Sequence, residues 1–477
     1  MFSMDNRSLN RSGCRQTSTA RRELLRIGGL SALGLSASCL SQLRRASADE
    51  SPTKQRRQNS CVFLFLFGGP SQIDLWDMKP DAPSEIRGDF QQTATNVSGI
   101  QICEHLPRLA RQMDKVCLLR SMQHRMNVHG PACSEVFSGR PYQSAPITDQ
   151  ASPDDWPSLS AMAMRYGHSQ TGLPPSMVLP WYLQFPGQDR RIAGQTGGRM
   201  GERHEAMLIQ GSVRGEFNVD GLTSHTDAPL VRIRNRRRLL EQLEPHNKRH
   251  AFSKKLMADV NRHRDRAYSL LNHRAGEILD LQRESETLRD VYGRTSVGQS
   301  LLMARRLIES GVSLVTVNWE DETKIDGTNT CWDTHQDNFA KLKNLLCPIF
   351  DQAFPAFLQD LDDRGLLDTT LVVAVGEFGR TPKLGQFTQS SNTRKTGRDH
   401  WPHAFTALLA GGGVRGGQVY GKTDRHAAFV ADHPVSPADL SATILHHLGV
   451  DHRQEYVSTN QGLRHRLSDG NPVRDLG

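Results

Sequence analysis

Residues 370–375 (TLVVAV) are apolar but for one threonine, four of the six are β-branched, and a glycine follows them directly. A half-buried strand alternates apolar with polar side chains; a run like this one has to be buried on both faces. That demand excludes a sheet with one face in water. It calls for a strand inside a sheet covered by other elements on both sides. Residues 61–67 (CVFLFLF) have the same character and stop at Gly68-Gly69-Pro70, and residues 312–318 (VSLVTVN) and 404–410 (AFTALLA) are further runs of this kind. The stretches between them carry helical periodicity. Strands alternating with helices predict an α/β fold, with a mostly parallel sheet between two helical layers and all four runs in that sheet.

The remaining elements follow from local signals. Short strands are predicted over 116–119 and 176–179, an amphipathic helix over 105–113, a helix over 156–165 and a long one over 338–363. Ser436-Pro437-Ala438-Asp439 has the chemistry of a capped helix start. Residues 187–201, rich in Gly and charge, read as a long surface loop. Residues 229–310 differ from the rest: leucines at helical spacing among many Arg and Glu predict a mainly helical insertion, a cap or side layer. Five arginines within 232–238 read as a solvated helix face or as a contact for an anionic partner. The division expected is a targeting segment over 1–48, a linker over 49–60, one large domain over 61–450 and a tail over 451–477.

Chemistry concentrates after the opening run. The chain leaves it as Gly376-Glu377-Phe378-Gly379-Arg380-Thr381-Pro382, and a polar loop later delivers Gly397-Arg398-Asp399-His400-Trp401-Pro402-His403. Carboxylates and imidazoles gathered beyond the C-terminal end of a strand are how open α/β sheets build sites. They are also the usual oxygen and nitrogen donors of divalent metals.

The N-terminus reads as an export signal: Arg21-Arg22 resembles a twin-arginine motif, residues 27–40 are weakly apolar, and Ala46-Ser47-Ala48 is a small-residue cleavage site. The apolar stretch is too short and too polar to span a membrane. Residues 1–48 hold eight arginines against two acids, +6 of the formal +8, so the remainder carries +2. The basicity therefore belongs to the signal and gives no reason to invoke nucleic acid. Of the six cysteines beyond it, none forms a C-x-x-C pair; Cys103 and Cys117 either bridge or remain two buried thiols.

The motif GEFGRTP…GRDHWPHAF resembles the signature of a large, mostly uncharacterised family of exported bacterial proteins described as sulfatase-like and placed in the alkaline phosphatase superfamily. Residues 63–90 (FLFGGPSQIDLWDMKPDAPSEIRGDF among them), 292–319, 332–339 (WDTHQDNF), 408–421 and 433–450 agree with it, so the resemblance runs from about Phe63 to Val450. It implies an alkaline-phosphatase-like α/β/α sandwich. It also implies an exported, periplasmic hydrolase of phosphate or sulfate esters that uses a divalent ion (zinc, manganese or calcium), with an anionic small molecule or carbohydrate ester as its ligand.

The same resemblance suggests roles. Asp74, Asp333, His335, Glu377, Asp399 and His400 are the implied metal ligands. Arg140 and Arg380 are candidates to clamp an anion bidentately. Sulfatases carry Cys or Ser, then Pro two residues on and Gly-Arg ten residues on. His129-Gly130-Pro131 with Gly139-Arg140 resembles that frame, with His129 in the nucleophile's place. His129 would then bind metal or accept a proton or phosphoryl group. The competing expectation is a non-catalytic binding or structural envelope protein that keeps the scaffold without the nucleophile.

Overall fold

The protein is described by a computed structural model. The structure describes residues 58–143, 150–169, 172–184, 191–212, 217–218, 235–236, 238–239, 242, 273–320, 331–388 and 393–477. The twin-arginine segment, most of the linker, most of 229–272 and most of the arginine run at 232–238 lie outside the described residues.

Eight strands form one sheet. In chain order they are β1 (Ser60–Leu66), β2 (Val116–Met122), β3 (Ser176–Leu179), β4 (Met207–Leu208), β5 (Leu314–Trp319), β6 (Thr370–Val375), β7 (Phe405–Ala410) and β8 (Gln418–Tyr420). Their order across the sheet is β8-β2-β7-β6-β1-β5-β3-β4. Every neighbouring pair is parallel except the two made by β7, which runs antiparallel to β6 and to β2. All four of the long apolar runs are in this sheet.

The burial pattern explains why those runs do not alternate with polar residues. In β1, Val62, Leu64 and Leu66 enter one hydrophobic core, whereas Cys61, Phe63 and Phe65 enter another. Strand β6 divides likewise, Val372 and Ala374 against Leu371, Val373 and Val375. Successive side chains of a strand point to opposite faces, so two cores mean two covering layers. Five helices are involved: α1 (His129–Ser138), α2 (Leu159–Tyr166), α3 (Ser296–Glu309), α4 (Cys347–Asp363) and α5 (Pro437–His447). One layer holds α3 and α4, through residues such as Leu301, Leu307, Phe354 and Leu358. The other holds α1, α2 and α5, through Val136, Phe137, Met162, Leu440 and Ile444. The result is an α/β/α sandwich with a mostly parallel sheet.

Several local expectations change in three dimensions. The helix read over 105–113 is only Pro107–Ala110, followed by a 3₁₀ turn at Met113–Lys115. The Asp351 carboxylate of α4 accepts from the Arg108 and Leu109 amides at 2.9 and 2.8 Å, so the short turn is capped by a neighbour rather than extended. The helix read from 156 starts at Leu159, where the Ser158 hydroxyl accepts from the Ala161 amide. Ahead of α4, residues Asn338–Lys341 and the π turn Leu342–Leu346 make the long helix continuous. The loop read over 187–201 is not a surface loop in its described part: Ile192, Ala193 and Met200 are buried. Residues 451–477 pack on the second core through Tyr456, Leu467 and Leu476. Helix α3, within the segment read as an insertion, lies directly on β5 and β1. The six described cysteines are all free and buried, so Cys103 and Cys117 form no bridge. Among the described residues no helix is long and apolar enough to cross a membrane.

Candidate metal centre

The sheet topology brings five separated segments to one edge. Strands β1, β5 and β6 are parallel and in register, Phe65 beside Val375 and Leu66 beside Trp319, so their C-terminal ends emerge together. Strand β7 is antiparallel, so it starts at that edge, and residues 399–401 arrive there just before it. Strand β2 pairs antiparallel with β7 and ends there too, and α1 begins seven residues later with His129. This is the position at which open α/β sheets place ligands.

Two glycines allow the segments to touch. Gly68 has φ +108°, and a Cβ there would lie 2.4 Å from the Asp333 amide nitrogen. A Cβ on Gly397 would lie 1.9 Å from the His335 carbonyl oxygen. Any side chain at either position would push a ligand-bearing segment away.

Asp333 is the centre of the resulting cluster. The Nε2 atoms of three histidines face its carboxylate: His335 at 3.0 Å and His400 at 3.3 Å from Oδ1, and His129 at 3.3 Å from Oδ2. These four residues each offer one ligand atom within 4.8 Å of the others. Bonds of about 2.0–2.2 Å to one tetrahedral ion place ligand atoms about 3.3–3.6 Å apart, so the widest pair would close by about 1 Å on binding.

Each imidazole is held from behind. His129 Nδ1 is 2.5 Å from Glu377 Oε1, His335 Nδ1 is 3.0 Å from Thr393 Oγ1, and His400 Nδ1 is 2.7 Å from the Asn127 carbonyl oxygen. A partner at Nδ1 fixes the ring and leaves the Nε2 lone pair for a metal, the outer-shell arrangement of histidine sites. Glu377 is itself fixed, both its oxygens accepting from the Gly68 amide at 3.0 and 3.1 Å. His124 braces the same loop, its Nε2 lying 2.5 Å from the Glu377 carbonyl oxygen, while its Nδ1 accepts from the Met126 amide. Burial holds His124 down to about 4, so it is neutral at physiological pH. Phe378 closes one wall, stacked on His400 at 4.3 Å between ring centroids.

The electrostatics suit a cation. Burial would raise the Asp333 carboxyl, but the Arg380 guanidinium and His129 outweigh it and hold Asp333 well below the usual carboxylate range. Burial would lower His129, but Asp333 and Glu377 overcome it and lift His129 to about 9. His400 goes the other way, to about 3, through burial and the neighbouring charge of His129. Between these two rings the proton therefore sits on His129 at neutral pH.

The other sequence candidates have different duties. Asp74 is not among the clustered ligand atoms. Arg398 holds it bidentately at 2.8 and 2.9 Å, Ser71 and Asn338 donate to it at 2.6 and 2.9 Å, and both Asp74 and Arg398 are wholly buried. Arg380, read as an anion clamp, faces inward. It is also wholly buried, donating to Asp333 at 2.5 Å and to the carbonyls of Gly68, Gly69 and Arg398, so it fixes the strand ends and the Asp333 carboxylate. Arg140 is occupied elsewhere: it pairs with Asp469 and the Arg466 carbonyl and lies over Trp156. Glu377 and Asp399 stand one layer out from the cluster. Asp399 Oδ1 lies 3.5 Å from His335 Nδ1 and accepts from the His400 amide at 2.7 Å. His129, read as a stand-in nucleophile with ligation as one option, has its ring in the ligand set. Sequence reasoning gave no role to Arg398, Asn127 or Thr393; the Arg in GRDH was the one signal available.

Comparison with known proteins adds the family but not the activity. No curated protein matches the chain in sequence. Solved structures with a similar fold include a sulfatase from Pseudoalteromonas sp. (13% identity, 86% of this chain and 70% of that one, TM-score 0.36). They also include a phosphonate monoester hydrolase from Silicibacter pomeroyi (10%, 87% and 76%, TM-score 0.38) and an alkaline phosphatase from the Antarctic bacterium TAB5 (11%, 83% and 99%, TM-score 0.36). Likenesses this distant say nothing about what this chain binds. Its own sequence matches one family profile over residues 58–476, and the chain belongs to that family, described as "Protein of unknown function (DUF1501)".

Proposed function

We propose that the protein is an exported, metal-dependent hydrolase of phosphate or sulfate esters, with one divalent ion held by His129, Asp333, His335 and His400. The observation that carries this reading is the convergence of three imidazole Nε2 atoms on a single buried carboxylate, each ring anchored at Nδ1. Three nitrogens and one oxygen suit zinc best, with manganese next; calcium prefers oxygen ligands. When bound, such an ion supplies Lewis acidity, polarising an ester oxygen and acidifying water. The chain's own groups do the positioning. Glu377 keeps the Nδ1 proton of His129, Arg380 holds the outer edge of Asp333, and Phe378 keeps water from one side of the rings. With His129 committed to the ligand set, the sulfatase-like frame offers no side-chain nucleophile, because Cys133 and Ser134 on α1 are buried. Water is then the attacking group.

The same fact favours a second reading, a binding protein that holds a metal and an anionic ligand without turnover. The two are separated by loading the purified mature protein with zinc or manganese and assaying aryl phosphates and aryl sulfates. Turnover abolished by chelation and restored by metal supports the hydrolase. A metal-loaded protein inert on both supports the binding reading, and a protein that takes up no metal defeats both. Calorimetry of metal uptake should show proton release at neutral pH, with His129 giving up its proton. Glu377→Gln is expected to weaken metal binding by about 10–100-fold with the fold intact, the usual cost of losing a group that anchors a ligand.

Export by the twin-arginine route is part of the proposal and rests on Arg21-Arg22 and Ala46-Ser47-Ala48. Lysine at both arginines should leave an unprocessed cytoplasmic precursor; normal periplasmic processing would rule this route out.

A further inference from the structure

A hairpin of the C-terminal segment meets the chain just beyond helix α1, at the end away from the metal centre. Strands Glu455–Val457 and Arg464–Arg466 pair antiparallel, with Tyr456 directly opposite His465. Side chains of a directly opposed pair stand on the same face, and these two rings lie 5.7 Å apart between centroids. Arg140 reaches the same hairpin: it donates to the Arg466 carbonyl and pairs with Asp469. Trp156 closes the group. Its ring is 5.1 Å from that of His465, and the Arg140 and Arg199 guanidinium carbons lie over it at 4.9 and 4.0 Å. Arg140 stands two residues beyond the end of α1, a helix of 10 residues that begins at His129. That is about 15 Å of helix at 1.5 Å per residue, so this cluster is separate from the histidines.

Three polar atoms of this group are buried and have no hydrogen-bond partner among the described residues: Arg140 Nε, Tyr456 Oη and His465 Nε2. Arg140 is 7% exposed and Tyr456 2%. A buried polar atom without a partner costs free energy, so three in contact call for a ligand or a water. What they can do decides which. Arg140 Nε only donates, and a phenol and an imidazole with its proton on Nε2 donate as well. Burial pushes the Tyr456 phenol up to about 12 against the pull of Arg140 and Arg199, so it keeps its proton at neutral pH. The surrounding charge has one sign in excess. Arg140, Arg199 and Arg165 act on Tyr456, and around His465 the acid facing Arg199 and Arg140 is Asp469.

We propose that Arg140, Tyr456 and His465 form a site for a chloride ion, which ties the C-terminal hairpin to the end of α1. Three donors and a surplus of cations are answered by an acceptor that carries negative charge. A monatomic anion accepts from donors in any direction, and the rings here touch one another, which suits it better than a tetrahedral oxyanion. The site serves as a structural clasp. It belongs to neither reading of the metal centre and is tested without either.

The mature protein, with and without metal, is melted in sodium chloride, sodium bromide and sodium gluconate at equal ionic strength. Chloride and bromide should raise the melting temperature saturably above that in gluconate, as a ligand of the folded state does. The rise should be the same with and without metal. Tyr456→Phe keeps the ring and removes the hydroxyl, and Arg140→Lys keeps the charge and removes Nε. Each should weaken halide binding at least about tenfold, the scale of one hydrogen bond to a charged group, and leave metal content unchanged. Crystals soaked in bromide should show an anomalous peak within hydrogen-bonding reach of Tyr456 Oη and Arg140 Nε. An equal response to gluconate, an undiminished halide response in both variants, or a water in place of bromide would each overturn the proposal. Should either variant fail to fold, the bromide peak of the wild type decides.

Discussion

Asparagine in place of Asp333 is expected to strip the protein of its metal and to cost the fold about 3–5 kcal/mol, the penalty for breaking a buried ion pair from one side. The substitution keeps the shape and removes only charge. Asp333 is the one carboxylate among the four clustered ligand residues, so three neutral imidazoles would be left to hold a dication. The stability loss has a separate cause. Arg380 is wholly buried, and without Asp333 its charge would face only backbone carbonyls. The pH dependence has a definite sign. The Asp333 carboxyl is held well below the usual range, so its contribution to the metal-free fold is present above the unfolded carboxylate value, near 4, and lost as pH falls through the folded one. The variant should therefore lose that acid-side slope. Elemental analysis and thermal melts from pH 3 to pH 7 would measure both effects. Stoichiometric metal in the asparagine variant would refute the assignment of this centre.

Breaking the pair between Asp74 and Arg398 should cost a similar amount without touching the metal. Arg398→Met leaves a buried carboxylate with no counter-charge, for which about 3–5 kcal/mol is the usual loss. An ionised carboxylate has about four lone-pair sites, and Asp74 already receives two bonds from Arg398 and one each from Ser71 and Asn338. Three of these go to Oδ2 and one to Oδ1, so Asp74 is engaged by its own neighbours, apart from the histidine cluster. Arg398→Met is thus expected to melt well below the wild type yet bind metal with unchanged stoichiometry at temperatures where it remains folded. The double variant Asp74→Leu, Arg398→Met should recover most of the stability, because two apolar side chains need no pairing. Loss of metal from folded Arg398→Met would return Asp74 to the ligand set.

These two carboxylates show where a sequence stops informing. Asp74 and Asp333 both follow a strand, both sit in segments rich in ligand-type residues, and both were candidate ligands. What separates them is which side chain each meets. Asp74 meets Arg398, from a segment more than 300 residues away, whereas Asp333 meets three imidazoles and Arg380. The two arginines read as anion clamps went the same way: Arg380 is turned inward onto strand-end carbonyls, and Arg140 is tied to the C-terminal segment.

Periodicity and residue type were enough to determine the layered α/β architecture, the four long strands of the sheet and the capped start of α5, because each depends on side chains near in sequence or on burial of both strand faces. The Ser436 hydroxyl and the Asp439 carboxylate complete that cap as the four residues alone predict. Sequence also placed Asp333, His335 and His400 in one site, since each follows or precedes a strand that must end at the same edge. Only the tertiary structure decided the division of labour. It brought the His129 ring to Asp333, set Glu377 and Asp399 behind histidines and locked Arg380 and Arg398 inside. The reason is physical: a ligand set is defined by atoms within a few ångströms of one point, and those distances are fixed by strand register, by a close approach such as that at Gly68, and by which buried charge finds its partner first.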